Sequence, residues 1–195
     1  DAFNQVIGDW ITINVTNMNR MFAYADAFDQ DISDWNTGNV TNMSGMFTHN
    51  PVFNQAIGCW DTSEVTDMSW MFGSATAFNQ PLDGWDTGKV EHMDYMFDNA
   101  DAFDQNLANW NVTALKSAYN MFYDTALSKT NYDALLIGWD AQDLESAVSF
   151  HGGESHYCIG ESARQHMIDV DGWSITDGGK ECSYLDYVIT LSSAT

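Results

Sequence analysis

With 195 residues, 45% of them hydrophobic and 14% aromatic, the chain holds too much core material for a disordered tail and enough for one domain or a short repeat array. Its 28 acidic residues against 6 basic ones give a formal charge of −22, which repels phosphate backbones and anionic headgroups and excludes nucleic acid and membrane surfaces as first partners. No apolar run approaches the ~20 residues of a membrane insertion, and no leader is visible before Asp1, although a precursor could have lost one.

From the first residues onward the chain repeats itself. Trp10, Trp35, Trp60, Trp85 and Trp110 are evenly spaced, and so are Phe3, Phe28, Phe53, Phe78 and Phe103. Gln5, Gln30, Gln55, Gln80 and Gln105 keep the same interval, as do Met21, Met46, Met71, Met96 and Met121, each followed by Phe. Val15, Val40, Val65 and Val90 keep step, with Leu115 in the fifth unit. A fixed period in the twenties, with one apolar set per unit and no insertions, predicts an α/β repeat solenoid whose turns stack their inner faces.

Within a unit, Phe28, Gln30 and Ile32 of FDQDISDW alternate as in an extended strand. Val40, Met43, Met46 and Phe47 of VTNMSGMF share one face of a helical turn or two, with Thr37 or Thr41 as N-cap. The WNTGN between them is turn chemistry. Each unit therefore reads as one short strand and one short helix. The Gln column reads as an internal ladder of amides satisfied by neighbouring units. The Trp column reads as core with its N–H groups satisfied, and the methionines as core.

The pattern W-[DN]-T-x-x-V-T-[ND]-M-x-x-M-F-x-x-A-x-x-F-[ND]-Q resembles the BspA-like leucine-rich-repeat surface proteins over residues 1–127. The segments LSKTNYDALLIGWDAQ and YCIGESARQHMIDVDGWSITDGG are similar to the closing segment found after such repeats. The resemblance implies a leucine-rich-repeat-like coil, which we take as right-handed, display outside the cell, and a role in adhesion or host contact. It supplies no catalytic residues. The fifth unit departs from the pattern at Leu115 and Ala118, as a unit adapting to a cap would.

After Leu127 the period breaks, which divides the chain into repeats at 1–127, an α/β cap at 128–183 and a tail at 184–195. The cap reads as a helix capped by Ser128 or Thr130 with Tyr132, Leu135, Leu136 and Trp139 on one face. A strand over 146–150, a second helix with Ala163, Met167 and Val170 inward, and a strand over 173–176 follow. The tail YLDYVITL (184–191) reads as a spare strand. The first unit has no visible cap, so it is either cut from a longer array or covered by something else. Of three cysteines, Cys158 and Cys182 both lie in the cap and are the expected disulfide, in keeping with an oxidising setting. Cys59 is expected to be a free, partly buried thiol.

Catalytic motifs are absent, and no enzyme is expected. His151, Glu154 and His156 of HGGESH could hold a metal only if their loop brought them together. DVDG (169–172) opens like a calcium loop but lacks its glycine and glutamate positions, and is rejected as one. The acidic columns that include Asp26 and Asp101, Asp29 and Asp104, or Asp61 and Asp86 read first as turn residues, with Ca²⁺ bound between stacked carboxylates as the sharper alternative. The regular Thr12, Thr37, Thr62 and Thr87 column invites an ice-binding reading that its turn-like context disfavours. Ligand contact is expected at outward, variable positions, foremost Asp31, Ser33, Asp83 and Asn106. The expected function is a non-catalytic extracellular or cell-surface module that contacts a protein or glycan on another surface. The alternatives are head-to-tail assembly with copies of itself, through the first coil and the 184–191 strand, and carbohydrate binding on exposed indoles.

Overall fold

In the computed structural model, which describes residues 3–183, the N–H groups of Met18, Arg20, Phe22 and Tyr24 each donate to a carbonyl of the next unit, at Asn42, Ser44, Met46 and Thr48, at 2.9 Å. The same four bonds run from Met43, Gly45, Phe47 and His49 to Asp67, Ser69, Met71 and Gly73, and recur twice more. A parallel bridge at each interface joins Asn17, Asn42, Asp67, His92 and Ser117 in one line. Every unit therefore lies in register on the next.

Between those bonds the same stretch closes tight turns, with Met21 N–H to Met18, Ala23 to Arg20 and Ala25 to Phe22. The turns hold two columns in the left-handed region: Arg20, Gly45, Trp70, Tyr95 and Asn120, and Tyr24, His49, Ser74, Asn99 and Asp124. Where the Met43–Met46–Phe47 spacing predicts a short helix, the structure has these turns. The two share the same apolar spacing, but a helix needs its alternate N–H groups internally, and here the neighbouring unit takes them. Residues 28–35 form no backbone β-bridge, and bridging falls instead in the V-T-[ND]-M stretch.

The interior is built from aromatic columns. Phe22, Phe47, Phe72, Phe97 and Phe122 follow one another at 5.4–5.7 Å between ring centres. Each of the first four also lies against the first phenylalanine of the following unit (Phe28, Phe53, Phe78 or Phe103) at 3.8–4.0 Å. The indole N–H groups of Trp35, Trp60, Trp85 and Trp110 donate to the carbonyls of Ile7, Ile32, Ile57 and Leu82 at 3.0–3.1 Å. Thr12, Thr37, Thr62 and Thr87 are buried and donate to the backbone of the next unit at 2.8–3.0 Å. Threonines so engaged leave no hydroxyl face for ice.

The Gln column is a ladder, half-buried rather than internal. Asn4, Asp29, Asn54 and Asn79 each accept, through Oδ1, the backbone N–H of residue 29, 54, 79 or 104 and the amide of Gln30, Gln55, Gln80 or Gln105 in the following unit. Asp104 continues it into the cap, accepting from Ser128 N–H and Asn131 Nδ2, both at 2.8 Å.

The cap begins with α1 (Lys129–Asp140), capped by Ser128, which buries Tyr132, Leu135, Leu136 and Trp139. Trp139 donates to Leu107 O at 3.1 Å and so extends the tryptophan column. Gly138 makes the approach possible: a Cβ there would stand 2.3 Å from Ala108 O. Strand β1 (Ser149–His151) continues the bridge line through Ala118↔Phe150. Strand β2 (His156–Tyr157) precedes α2 (Glu161–Asp169), β3 (Ser174–Thr176) and β4 (Gly179–Lys180). β1 pairs in parallel with β3, and β2 with β4. Asp177 accepts from Tyr132 and pairs with Arg164 at 2.7 Å inside this lid.

Cys158 and Cys182 are joined as expected. Cys59 is free but exposed, because its column, with Asp9, Asp34, Gly84 and Asn109, faces outward. Val170 is exposed rather than inward, since α2 ends at Asp169 and the chain turns away. The strand expected at 184–191 lies outside the described residues.

Asn79→Ala removes an acceptor of two inter-unit bonds and is expected to lower unfolding free energy by about 1–2 kcal/mol. Asn79→Asp keeps the acceptor, as Asp29 and Asp104 do in the same column, and is expected to cost less. Urea denaturation of the two variants measures the difference.

Candidate interaction face

Two pairs of positions in each unit vary along the chain, the residues between the methionines of M-x-x-M and the two that follow M-F, and of these Gly45, Thr48, Gly73 and Asp98 are buried. Along the chain the first pair reads Asn19-Arg20, Ser44-Gly45, Ser69-Trp70, Asp94-Tyr95 and Tyr119-Asn120. The second reads Ala23-Tyr24, Thr48-His49, Gly73-Ser74, Asp98-Asn99 and Tyr123-Asp124. The inter-unit backbone bonds set them side by side on one face.

Rings on this face meet across units. Trp70 stacks on Tyr95 at 4.2 Å, Tyr24 on His49 at 4.6 Å, and Tyr95 meets Tyr119 edge-on at 5.5 Å. Tyr24, Trp70, Tyr119 and Tyr123 are exposed. Gly45 interrupts the row, and Arg20 leans over it, its Cγ 3.0 Å from where a Cβ would be. The result is a notch with two lobes of about 160 Å³ each, one bounded by Arg20, Tyr24, Thr48, His49 and Trp70, the other by Asn19, Ser44, Asp67, Ser69 and both walls.

Arg20 stands out electrostatically. Lys89, Lys116, Arg164 and Lys180 each pair with a carboxylate, and Lys129 donates to Glu181 O. Among the described residues Arg20 has no carboxylate partner. Further along the face, burial raises the Asp98 carboxyl above the ordinary value, with Asp124 adding to the shift while a hydrogen bond to Asn99 and the charge of His49 oppose it.

The positions expected from sequence lie elsewhere. Asp83 and Asn106 line one shallow cavity of about 180 Å³ with Pro81 and Gln105, while Asp31 and Ser33 are not part of it. Asp31 Oδ1 accepts Ser33 N–H at 3.0 Å, and that bond lowers the Asp31 carboxyl below its usual value. His151 accepts from Gly153 N–H and His156 meets Gly179 O, so neither turns toward a common metal with Glu154. Asp61, Asp67 and Asp86 accept the N–H two residues on, as turn residues do. Four of the five repeat indoles are buried, and Trp10 is the exposed one. The signal that could have found the face is the appearance of Arg, Trp and Tyr at M-x-x-M positions that other units fill with Gly or Asn.

A sequence-family profile described as "Mycoplasma protein of unknown function, DUF285" matches residues 1–58 and again 32–139. No curated protein and no solved structure matches the chain.

Because the folded Asp98 carboxyl has a raised pKa, its protonated form favours the folded state. The native state then binds more protons than the unfolded chain, and stability falls as pH rises through the folded value. Asp98→Asn is therefore expected to be more stable than the parent at neutral pH, with the gap closing on acidification below the ordinary carboxylate range. Thermal melts of both proteins from acid to neutral pH measure it.

Proposed function

The chain belongs to the DUF285 family, and we propose that it is a non-catalytic interaction module of the BspA-like kind, secreted or displayed at a cell surface. In this reading the stacked units are turns of a right-handed, leucine-rich-repeat-like solenoid, and residues 128–183 close one end. The disulfide in the lid fits an oxidising compartment. The described residues contain no helix long and apolar enough to cross a membrane.

One observation carries the reading. Constant columns do the packing, while Arg20, Trp70 and Tyr95 occupy left-handed positions that Gly45 fills without penalty. A side chain in that conformation costs roughly 1 kcal/mol. The exposed Trp70, the half-exposed Tyr95 and Arg20, which has no carboxylate partner among the described residues, stand there despite the cost, as expected where the side chain serves contact rather than folding. The partner is a protein or glycan on another surface. Binding to a panel of immobilised extracellular-matrix proteins and glycans tests this: Arg20→Ala and Trp70→Gly should each weaken the interaction by about tenfold or more. Full binding by both folded variants would sink the reading.

A second reading has its own observation. Phe3, Trp10, Met21 and Phe22 line an open apolar cavity of about 330 Å³ on the first unit, in the same columns that are buried further along. A repeat unit fits this face, whether of the same array or of another copy, and from another copy it would give heterologous, chain-forming contacts. Sedimentation velocity over a wide concentration range separates the two: a monomer throughout removes this reading, and growth that Trp10→Asp abolishes supports it.

A further inference from the structure

Independently of how the repeat face is used, we propose that the cap binds one divalent transition-metal ion, with Zn²⁺ as the reference ion, through Asp140, His166 and Asp171. Their ligand atoms, one carboxylate oxygen from each aspartate and a ring nitrogen of the histidine, lie within 4.8 Å of one another. Among the described residues it is the one such group of three. His166 Nδ1 already meets Asp140 Oδ1 at 2.7 Å. A metal at the usual ~2.0–2.2 Å from nitrogen and oxygen ligands needs this pair to part by less than an ångström.

The three donors come from separate pieces of chain whose backbones are fixed from behind. Asp140 ends α1 immediately after Trp139, which is fully buried and bonded to Leu107 O. His166 lies on α2 beside fully buried Met167, whose carbonyl accepts Trp173 N–H at 3.0 Å. Asp171 sits in the turn that follows α2, where its carbonyl accepts Ala147 N–H at 2.9 Å and Gly172 reverses the chain at φ 71°. Ligands held on packed elements are pre-organised, so little ordering entropy opposes binding.

The donor set selects the ion. Two carboxylates and an imidazole suit Zn²⁺, Mn²⁺, Co²⁺ and their neighbours, whereas Ca²⁺ and Mg²⁺ prefer all-oxygen shells. Two carboxylates with a neutral imidazole balance a divalent charge, and the chain's −22 draws cations toward it. The half-exposed His166 side chain leaves the remaining coordination positions to water. An ordinary Asp140–His166 ion pair would need nothing from Asp171, which is what separates the two interpretations.

Isothermal titration of the metal-stripped, disulfide-intact protein with Zn²⁺ tests the site. The exposed Cys59 is a competing soft ligand, so parent and Cys59→Ser proteins are titrated side by side. One Zn²⁺ per chain is expected in both, with a raised melting temperature that EDTA reverses. His166→Ala and Asp171→Asn, in the Cys59→Ser background, should each weaken binding by more than about tenfold, the loss seen on removing even an outer hydrogen-bond partner of a ligand. Their melting temperatures in EDTA show whether each variant is folded, and Co²⁺ absorption provides a second readout free of thiolate bands. No binding to the Cys59→Ser protein, or equal binding by both folded variants, would overturn the proposal.

Discussion

The whole molecule depends on where four alternate N–H groups of the M-x-x-M-F segment are sent. In unit one they leave from Met18, Arg20, Phe22 and Tyr24 and end on the next unit, and units two to four repeat the arrangement. The intervening N–H groups at Met21, Ala23 and Ala25 close turns within the unit. Such an alternation tolerates no change of length. One inserted residue would exchange inward and outward N–H groups and turn the following phenylalanine away from its column, as a register slip does in any hydrogen-bonded stack. The strict period and the straight columns of phenylalanine, tryptophan and threonine are consequences of that one constraint.

A stack of identical units leaves the same bonds unmade at its ends, and the cap answers them at one end by imitation. Trp139 takes the place of the next tryptophan, Asn131 the place of the next glutamine, and Phe150 the next position in the bridge line. None of these stands at the spacing of the repeat. What is conserved across the junction is the set of bonds, reached by a helix and a short strand instead of by turns. The lid accepts two of the fifth unit's alternate N–H groups, Ala118 to Ser149 O and Phe122 to His151 O, and among the described residues no buried side-chain nitrogen or oxygen lacks a partner.

The sequence made some of this legible for physical reasons. Period, cap helices and disulfide follow from apolar spacing and cysteine position, and those signals are local. The secondary structure inside a unit was not legible. Met43, Met46 and Phe47 have the spacing of a helical face, and only the neighbour's carbonyls decide that turns win. The interaction face was missed for a related reason. Asp31 and Ser33 vary and point outward, but they satisfy each other across a turn. Arg20, Trp70 and Tyr95 vary inside what reads as a helix, where variation looks like an ordinary solvent side. Their left-handed conformation, which gives the variation its meaning, is a property of the stack.

The acidity of the chain follows a similar logic. Asn36, Asp61, Asp86 and Asn111 hold one column and do one job, accepting the N–H two residues on. Either side chain can do it, because only Oδ1 is used. Hydrogen bonds from Ser63 lower the Asp61 carboxyl below its ordinary value, so the charged form is the better acceptor there, and its exposure lets water screen the charge from its neighbours. Turn geometry thus explains why the column is Asx, while the preference for aspartate at Asp61 and Asp86 is a property of the surface. The cap differs in kind. There an imidazole stands with two carboxylates from different segments, a combination that no turn requires.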